Sequence, residues 1–535
     1  MKKRNILKSK TFLYLTEFFS GMSVMAVELG ASRLLAPYFS SSQIVWTIII
    51  GTIMIAMALG NVWGGRSADK NPDPDRLYRR ILFAGIWIAC IPLVGTFVIA
   101  GISVVMAVFV RQQFLIFAAF AACLCLFVFP LLLLGTVTPS LAKYTMDNLE
   151  DNGRTVGTLN ALNTIGSIIG TFTPTFITIP AVGTAITFLI FAGILLALCV
   201  VYFLSAGVKK GLCLLTALVF AFSCAAAPRV RLAFWQDGVL SESESIYNYL
   251  QVRETDRAVI LSTNVMAGVQ SVKMKEGGLT GMYYDYALAA PLMTGAAADA
   301  PLDLLILGMG TGTYATQCAR YFPQIQTEGV EIDQQITDLA HEYFDLSADI
   351  PVTTYDGRAF LAQTDQRYDV IMIDAYQDIT IPFQMSSVEF FEQLKDHLKP
   401  SGVIVVNMNM YSEQANSINE YLSDTIASVF PHVYTAEVEN NTNCELFASM
   451  DVDCAANLTA ALSRLPDGEL RQMMRTVSAQ LTPYASGGRL LTDDKAPVEM
   501  LGMKAIDEII GGELDHYRRI FETDGLGGLI GAFTG

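Results

Sequence analysis

Long apolar stretches fill the first 227 residues of this chain, and they constrain its fold more than any other feature. A helix needs roughly 20 apolar residues to cross the hydrocarbon core of a bilayer. Seven stretches approach or exceed that length: residues 12–36, 44–64, 81–103, 114–137, 156–179, 184–206 and 211–227. We therefore predict that residues 1–227 form a helical membrane domain of about seven spans, with the lipid bilayer of the plasma membrane as its partner.

The basic residues between these stretches predict an orientation. Lysines and arginines occur before the first stretch and then recur in every second loop. Such residues concentrate on the cytoplasmic side of a membrane, so the amino terminus is predicted to be cytoplasmic. Seven crossings would leave the second half of the chain outside. The stretch 211–227 is short and alanine-rich. If it does not cross the membrane, the second half of the chain lies inside.

Three charged residues, Glu17, Glu28 and Arg33, lie within the first apolar stretch. A charge in hydrocarbon is costly and usually faces a partner or a cavity. The functional interpretation is a substrate path or a docking site. The structural interpretation, which we favour, is a Glu28–Arg33 pair near the interface. Elsewhere in the apolar half, Gly166 and Gly170 lie four residues apart and predict close helix packing.

The second half has the composition of an acidic soluble protein. Residues 1–227 carry 16 lysines and arginines against 8 acidic residues, whereas the remainder carries 19 against 43. This negative charge argues against a nucleic-acid partner, whose phosphates require basic residues. It fits a cationic ligand such as a polyamine, or simply a solvated acidic surface. The half contains no CxxC pair or histidine cluster, so we predict no metal site.

Periodicity divides the second half into four parts. Residues 228–245 form a polar linker, and runs of period two within 246–295 predict a small antiparallel β-domain. Residues 296–510 alternate buried strands with helical stretches, which predicts a Rossmann-like, methyltransferase-type, doubly wound α/β domain. Residues 511–535 are left as a C-terminal tail. In a doubly wound sheet the ligand binds at the carboxyl ends of the strands.

A glycine-rich loop follows the first strand of the predicted α/β domain. It contains Gly308, Gly310, Thr311 and Gly312. Glycines let a nucleoside approach the backbone where a Cβ atom would clash. Loops of this kind bind NAD, FAD and adenosylmethionine alike. Glu331 ends the second strand and can accept hydrogen bonds from both hydroxyls of a ribose.

Two more acidic residues end later strands. Asp356, which precedes Gly357, ends the third strand and can accept a hydrogen bond from an adenine amino group. Asp374 ends the fourth strand, at the position expected for the reacting group. This succession after the glycine loop favours a nucleoside-binding site over a purely structural α/β domain.

Over residues 245–500 the chain resembles the membrane-fused form of the spermidine synthase family, the polyamine aminopropyltransferases. The segments that carry the resemblance are Ser245 to Val252, Tyr283-Tyr284-Asp285, Leu305 to Gly312, Val330 to Asp333, Asp356-Gly357, Asp374, Ile381 to Phe383 and Leu491 to Glu499. The resemblance implies transfer of an aminopropyl group from decarboxylated S-adenosylmethionine to a small amine such as putrescine, and it implies a homodimer. Because that donor is made in the cytoplasm, we expect a cytoplasmic catalytic domain.

The resemblance also implies a role for each matching residue. Glu331 holds the ribose and Asp356 the adenine. Asp374 takes or directs a proton from the attacking amine, which is protonated near neutral pH. Tyr283 orients Asp374 or the amine, and Asp285 binds a distal ammonium group.

The chain departs from the family pattern at several positions. The aspartate of the family's glycine loop is replaced here by Thr311. The family's opening glutamine is Asn248, which follows Tyr247, and we place both residues in the substrate site. The second aspartate of the family's Asp-x-x-Asp motif is replaced by Gln377 or displaced to Asp378, which complete the predicted substrate site.

Two other functions remain open from the sequence. Thr311 would tolerate a donor that keeps its carboxylate, which favours a methyl or alkyl transferase that uses intact S-adenosylmethionine on a membrane-linked substrate. Methyltransferases carry an acidic residue two positions before the first glycine, where Ile306 stands here. The third candidate is a transporter or sensor regulated by an adenosyl ligand. Its support is Glu28, Arg33 and a loop, residues 64–69, that resembles a cytoplasmic loop of major-facilitator transporters.

Overall fold

The computed structural model describes residues 9–110, 112–145, 152–265, 268–375, 381–409, 415–439 and 442–534. A helical bundle comes first in the chain. Its helices are α1 (Lys10–Phe39), α2 (Gln43–Lys70), α3 (Pro74–Phe109), α4 (Phe114–Cys123), α5 (Phe129–Gly135), α6 (Val137–Thr145), α7 (Asn152–Thr173), α8 (Ile179–Ala206) and α9 (Lys210–Ala226). Two π-helical turns, Leu124–Val128 and Pro174–Thr178, connect α4 to α5 and α7 to α8.

Six helices of the described chain are long and apolar enough to cross a membrane. The fifth, Gly153–Ala206, has 54 residues, about twice the length that a bilayer requires. It is broken at Gly183, whose φ of 79° and ψ of 171° are not helical. The break separates two of the predicted stretches, 156–179 and 184–206. With α4, α5 and α6 taken together as one long segment, the described part of the apolar half forms seven long helical segments.

Contacts along α1 show how the chain reverses at Gly183. A Cβ atom on Gly166 or Gly170 would lie 2.0 Å from the carbonyl oxygen of Phe18 or Met22, so α7 runs parallel to α1 with the two backbones in close contact. Further along α1, the Phe188 ring of α8 lies against Gly30, while Phe191 packs beside Met22 and Ala26. Helix α8 is therefore antiparallel to α1. The close packing predicted from the glycine pair is confirmed.

The rest of the described chain, from residue 230 onward, is called the soluble part here. It follows a short 3-10 turn at Ala227–Arg229. Its strands are β1 (Val239–Glu244), β2 (Tyr249–Glu254), β3 (Ala258–Ser262), β4 (Ser271–Met274), β5 (Leu302–Leu307), β6 (Ile325–Glu331), β7 (Val352–Thr354), β8 (Tyr368–Ile373), β9 (Leu398–Met408), β10 (His432–Glu437), β11 (Cys444–Ser449) and β12 (Thr482–Pro483). Its helices are α10 (Tyr283–Ala287), α11 (Ala289–Met293), α12 (Thr313–Tyr321), α13 (Gln334–Tyr343), α14 (Gly357–Leu361), α15 (Val388–Asp396), α16 (Ile418–Val429), α17 (Cys454–Arg464), α18 (Glu469–Gln480) and α19 (Val498–Thr534). A second 3-10 turn lies at Phe383–Met385.

The strands form two sheets, as the periodicity predicted. The first is antiparallel, in the order β1-β2-β3-β4. The second has the order β12-β10-β11-β9-β8-β5-β6-β7, and its strands β5 to β9 pair in parallel. Strand β5 is apolar and almost wholly buried because helices cover both faces of the sheet. The predicted fold class, a helical membrane-type domain followed by a small β-sheet and a Rossmann-like domain, is confirmed.

Two predicted boundaries differ from the structure. The region expected to be a linker, 228–245, contains β1, because a strand of mixed polarity can pair with β2 at the edge of a sheet without an apolar signature. The region expected to be a tail, 511–535, continues α19 through Thr534, with a break at Gly525. This helix packs on the bundle: Arg518 donates hydrogen bonds to the backbone carbonyls of Ala107 and Val110.

Candidate active site

The glycine loop after β5 has a backbone that only glycine adopts readily. Gly308, Gly310 and Gly312 have φ angles of 86°, 54° and 79°. A Cβ atom on Gly308 would lie 2.5 Å from the carbonyl oxygen of Asp374, so the loop also requires glycine to pass the end of β8. The loop therefore lies directly against the residue predicted to be catalytic.

Glu331, at the end of β6, is hydrogen-bonded to this loop. One of its carboxylate oxygens accepts from the Gly310 backbone amide at 2.9 Å, and the other accepts from the Asp333 amide at 3.1 Å. Burial raises the pKa of the Glu331 carboxyl from its ordinary value of 4.5 to about 7, although the backbone hydrogen bonds act in the opposite direction. The carboxyl group is thus fixed in place at the position where a ribose is bound in sheets of this type.

A cleft lies at the carboxyl ends of the parallel strands. Eight of the predicted site residues line it: Tyr247, Asn248, Gly308, Gly310, Glu331, Asp356, Gly357 and Asp374. Asp356 caps α14 by accepting a hydrogen bond from the Ala359 amide at 2.8 Å. The cleft also includes residues that were not predicted to be part of the site, among them Ser271, Tyr284, Tyr355 and Met385.

Asp374 is held from both sides at the end of β8. The Tyr283 hydroxyl donates to one carboxylate oxygen at 2.6 Å, and the Asn407 amide donates to the other at 2.8 Å. The predicted Tyr283–Asp374 contact is therefore present. Asn407 is itself oriented by Asn443, whose amide donates to its oxygen at 2.7 Å.

Burial governs the proton affinity of this group. It raises the pKa of Asp374 from 3.8 to about 7, while the hydrogen bonds from Tyr283 and Asn407 lower it. Burial and the neighbouring Asp374 charge raise the pKa of the Tyr283 hydroxyl well above its ordinary value, so Tyr283 remains a donor. A carboxyl group that titrates near neutral pH is suited to accept a proton from an ammonium group.

Sequence reasoning missed an acidic residue beside Asp374. Glu445, on β11, pairs across the sheet with Asn407 on β9, and such pairs share one face of the sheet. It is fully buried, and neither carboxylate oxygen has a hydrogen-bond partner among the residues that the structure describes. Burial, and then the nearby Asp374, raise the pKa of Glu445 well above 4.5. The signal in the sequence was a single charged residue within an otherwise uncharged buried strand, Cys444–Ser449.

The Asp285 carboxylate is held by donors from nearby segments. It is buried and accepts hydrogen bonds from the Thr280 amide and hydroxyl, the Gly281 amide and the Gln317 side chain, at 2.6–2.9 Å. It does not line the cleft. These contacts stabilise the segment before α10, and the binding of a distal ammonium group by Asp285 stays a prediction.

Other predicted residues lie at the edge of the site or outside the described chain. Thr311 donates its amide to the Ser271 hydroxyl at 3.2 Å, and its own hydroxyl is buried with no partner among the described residues. Neither Thr311 nor Gly312 lines the cleft. Gln377 and Asp378 lie outside the described residues.

Comparison with known proteins places this site in a family. Residues 288–441 match the spermine/spermidine synthase domain. A probable polyamine aminopropyl transferase of Bifidobacterium longum is 53% identical over 349 residues, which cover 62% of this chain and 77% of that protein. This chain belongs to the spermidine synthase family. A polyamine aminopropyltransferase of Vibrio vulnificus is 26% identical over 53% of this chain and 97% of its own length.

The chain is also similar to a solved structure. The probable spermidine synthase from Corynebacterium glutamicum is 20% identical, with a TM-score of 0.38 over 47% of this chain and 96% of that chain. The domain match to the spermidine synthase family spans the glycine loop, Glu331, Asp356 and Asp374. It begins after Tyr283 and ends before Glu445, so the match covers neither of the two side chains that lie close to Asp374.

Proposed function

We propose that this protein is a membrane-bound aminopropyltransferase that moves an aminopropyl group from decarboxylated S-adenosylmethionine to a small amine. The observation that carries the proposal is the Asp374 carboxylate, which lines the cleft and is oriented by Tyr283 and Asn407. Membership of the spermidine synthase family supports the reaction class.

The glycine loop, Glu331 and Asp356 form what we call the donor half of the cleft. Their positions explain how an adenosyl group would be held. Glu331 accepts hydrogen bonds from the ribose hydroxyls, and Asp356 accepts one from the adenine amino group. The positive-φ glycines bring the backbone close to the nucleoside without a clash. Asn248 forms part of the opposite wall and is anchored by a hydrogen bond to Asp333 at 3.2 Å.

The transfer step needs a base at the amine. Asp374 accepts one proton from the ammonium form of the acceptor, which leaves a lone pair on nitrogen. That lone pair attacks the carbon next to the sulfonium, so a C–N bond forms as the C–S bond breaks. The bonding electrons remain on sulfur, which becomes a neutral thioether, and the second proton lost by the new ammonium passes to solvent. Tyr283 and Asn407 keep the base aligned, since each holds one of its oxygens.

The acceptor half contains a second buried carboxyl group near Asp374. Glu445 lies across the sheet from Asn407 with both oxygens unpaired in the described structure. An ammonium group close to Asp374 would be stabilised by both carboxylates, and it would lower their pKa values by favouring their charged forms. Glu445 thus supplies an acidic group in a protein that lacks the aspartate of the glycine loop.

The identity of the donor distinguishes this proposal from its main alternative. Thr311 leaves the glycine loop without a negative charge, which is the one observation that favours intact S-adenosylmethionine and transfer of a methyl or other alkyl group. Calorimetry of the purified protein with the decarboxylated and intact forms, in parallel, separates the two. We expect tighter binding of the decarboxylated form.

The control for this experiment is the Glu331→Gln variant, which should bind both forms more weakly. A preference for intact S-adenosylmethionine in the unaltered protein would overturn aminopropyl transfer.

The membrane association is proposed from the six apolar helices. Homodimer formation stays a prediction from the family resemblance.

A further inference from the structure

We infer that the catalytic domain faces the extracytoplasmic side of the membrane. The expectation of a cytoplasmic domain depended on the place where the donor is made and on a possible miscount of the spans. The structure contains contacts that fix which ends of the helices lie together, and these contacts leave no room for a miscount.

The soluble part docks on one end of the bundle. At the end of α1, the Tyr38 hydroxyl donates to the Leu232 carbonyl at 2.6 Å, and the Pro37 carbonyl accepts from the Val265 amide at 3.0 Å. Arg33 donates to the Ile246 carbonyl, next to the cleft residue Tyr247. Arg33 is therefore part of a docking contact.

The next helices meet the soluble part at this same end. The Gln43 amide at the start of α2 donates to Glu499 at 2.9 Å. The Phe114 amide at the start of α4 donates to Asp507 at 3.3 Å. Arg518 reaches the end of α3, as described above.

The break at Gly183 also belongs to this end. The Thr184 amide and hydroxyl both donate to the Glu244 carboxylate at 2.7 Å. The chain therefore reverses direction between α7 and α8 against β1, and each of the two segments counts as one crossing. Because α8 is antiparallel to α1, α9 runs parallel to α1 again and delivers the chain to the docking end.

A different set of loops meets at the opposite end. The Thr16 hydroxyl near the start of α1 lies 2.9 Å from the Tyr78 hydroxyl of α3. Lys143 at the end of α6 forms an ion pair with Asp69 at 3.0 Å, and Tyr202 near the end of α8 donates to Asp75 at 2.6 Å. The loops between α2 and α3, α6 and α7, and α8 and α9 therefore share one side.

The basic residues are distributed very unequally between the two ends. Of the 16 lysines and arginines before Pro228, 14 lie before or at the start of α1, or in the three loops opposite the soluble part and the helix ends that flank those loops. The two exceptions are Arg33 and Arg111. Lysine and arginine in short loops stay on the cytoplasmic side during insertion. The end with 14 basic residues is thus cytoplasmic, and the cleft with Asp374 lies across the membrane from it.

This orientation has a consequence for the substrates, which rests on the proposed function. The donor carries a fixed positive charge on its sulfonium and cannot cross hydrocarbon unaided. A transport step that exports the adenosyl sulfonium must therefore supply this enzyme, and the acceptor is an amine present outside the cytoplasm.

Cysteine labelling tests the orientation whether or not the enzyme is active. Asp365, exposed in the soluble part, and Asn71, exposed in the α2–α3 loop, are each replaced in separate variants, Asp365→Cys and Asn71→Cys. Cells stripped of their wall are treated with a membrane-impermeant maleimide, and labelling is compared with that of the parent chain, which supplies the baseline from its own cysteines. We expect Asp365→Cys to be labelled in intact cells and Asn71→Cys only after permeabilisation.

The reverse pattern would overturn the inference. Labelling in detergent confirms that each variant is present and that its new thiol is reactive. Moving charge provides a second test: replacing Lys209, Lys210 and Lys143 by glutamine should weaken the orientation preference and make part of the Asp365→Cys population inaccessible in intact cells. If Asp365→Cys is not labelled in intact cells, and the lysine substitutions do not change this result, the catalytic domain is cytoplasmic and the inference is wrong.

Discussion

The donor half and the acceptor half of the cleft are built in different ways. The donor half comes from three consecutive β-α units, in which the glycine loop, Glu331 and Asp356 each follow a parallel strand. The acceptor half joins Tyr283 from α10, Asp374 from β8, Asn407 from β9 and Glu445 from β11. Contacts within the acceptor half connect residues 33 to 91 positions apart. Donor binding is therefore a local property of strand ends, whereas acceptor chemistry depends on the packing of the whole sheet.

If this distinction is correct, a change in one half should leave the function of the other largely intact. The largest effect is expected for Asp374→Asn, which keeps the size of the side chain and removes the base. We expect kcat to fall by about 10²–10⁴-fold, the usual contribution of a general base, with little change in the dissociation constant of the donor. Product formation by chromatography and donor calorimetry measure the two quantities. A kcat within threefold of the parent value would show that Asp374 does not act as the base.

Glu331→Gln should have the opposite effect, weakening the donor and sparing the chemistry. Losing charge-assisted hydrogen bonds of roughly 1.5–3 kcal/mol corresponds to about 10–100-fold weaker donor binding. Glu328→Gln, on the same strand, is the matched control, since Glu328 binds Tyr368 rather than the cleft. Calorimetry compares the two variants. Equal losses in both would mean that the effect comes from the strand rather than from ribose binding.

The pH profile tests the acceptor half without mutation. Because the pKa of Asp374 lies at about 7, kcat/KM should fall about tenfold per pH unit below 7 and level off above it. The profile is measured with saturating donor, and the inflection should vanish in Asp374→Asn. An inflection that persists in that variant would assign the titration to another group.

The same pKa shifts have a stability consequence with a defined sign. Asp374 and Glu331 both titrate at about 7 in the folded protein, above their ordinary values of 3.8 and 4.5. The folded state therefore binds more protons than the unfolded state between about pH 4 and 7. The ligand-free protein should lose stability as the pH rises through this window, as thermal melts in detergent would show, and Asp374→Asn should reduce the slope.

Glu445→Gln should affect the acceptor more than the donor. Glu445 lies near Asp374 and has no hydrogen-bond partner within the described part of the chain. Removing its carboxyl group should raise the KM of the amine by about tenfold, a cost of about 1.4 kcal/mol, with kcat nearly unchanged. It should leave the melting temperature equal or higher, because a buried group that can ionise is replaced by a neutral one. Glu437→Gln, on the neighbouring strand β10 and exposed, is the control. A donor-binding defect without an amine defect would contradict the division of the site.

The smallest effect is expected where the helical bundle meets the cleft. Arg33→Ala removes the hydrogen bond to the Ile246 carbonyl, beside the cleft residues Tyr247 and Asn248. We expect roughly threefold weaker donor binding with unchanged kcat, the range of an exposed charged contact. Arg154→Ala, at the far end of the bundle, should have no effect. If donor binding by Arg33→Ala equals that of Arg154→Ala, the contact between Arg33 and Ile246 does not influence the donor site.

Local patterns in the sequence were sufficient for most of the fold and for the donor half. Apolar length predicted the helices of the bundle, and alternating buried strands and helices predicted the parallel sheet, with the glycine loop after β5 and Asp374 directly after β8. Glycines and acidic residues at strand ends then predicted Glu331, Asp356 and Asp374 as neighbours, since parallel strands carry their carboxyl ends to one edge. The Tyr283 contact required the family resemblance as well.

The structure added most at side chains whose environment is set by distant segments. Asp285, which was expected to bind a substrate, accepts hydrogen bonds from four donors, one of them from Gln317 on α12. The favoured Glu28–Arg33 pair gave way to a contact between Arg33 and the soluble part, because residues 213 positions away fold back onto α1. Helical spacing alone does not reveal such a partner.

The sequence by itself determined the membrane-type bundle, the nucleotide-binding sheet and the residues at its strand ends, because these follow from periodicity and from conformations that neighbouring residues impose. Only the tertiary structure decided which carboxylates accept hydrogen bonds and which, like Glu445, have no partner among the residues that the structure describes. It also decided which end of the bundle bears the catalytic domain. Both depend on contacts between segments far apart in the chain, and the free energy of such contacts has no signature in a local stretch of sequence.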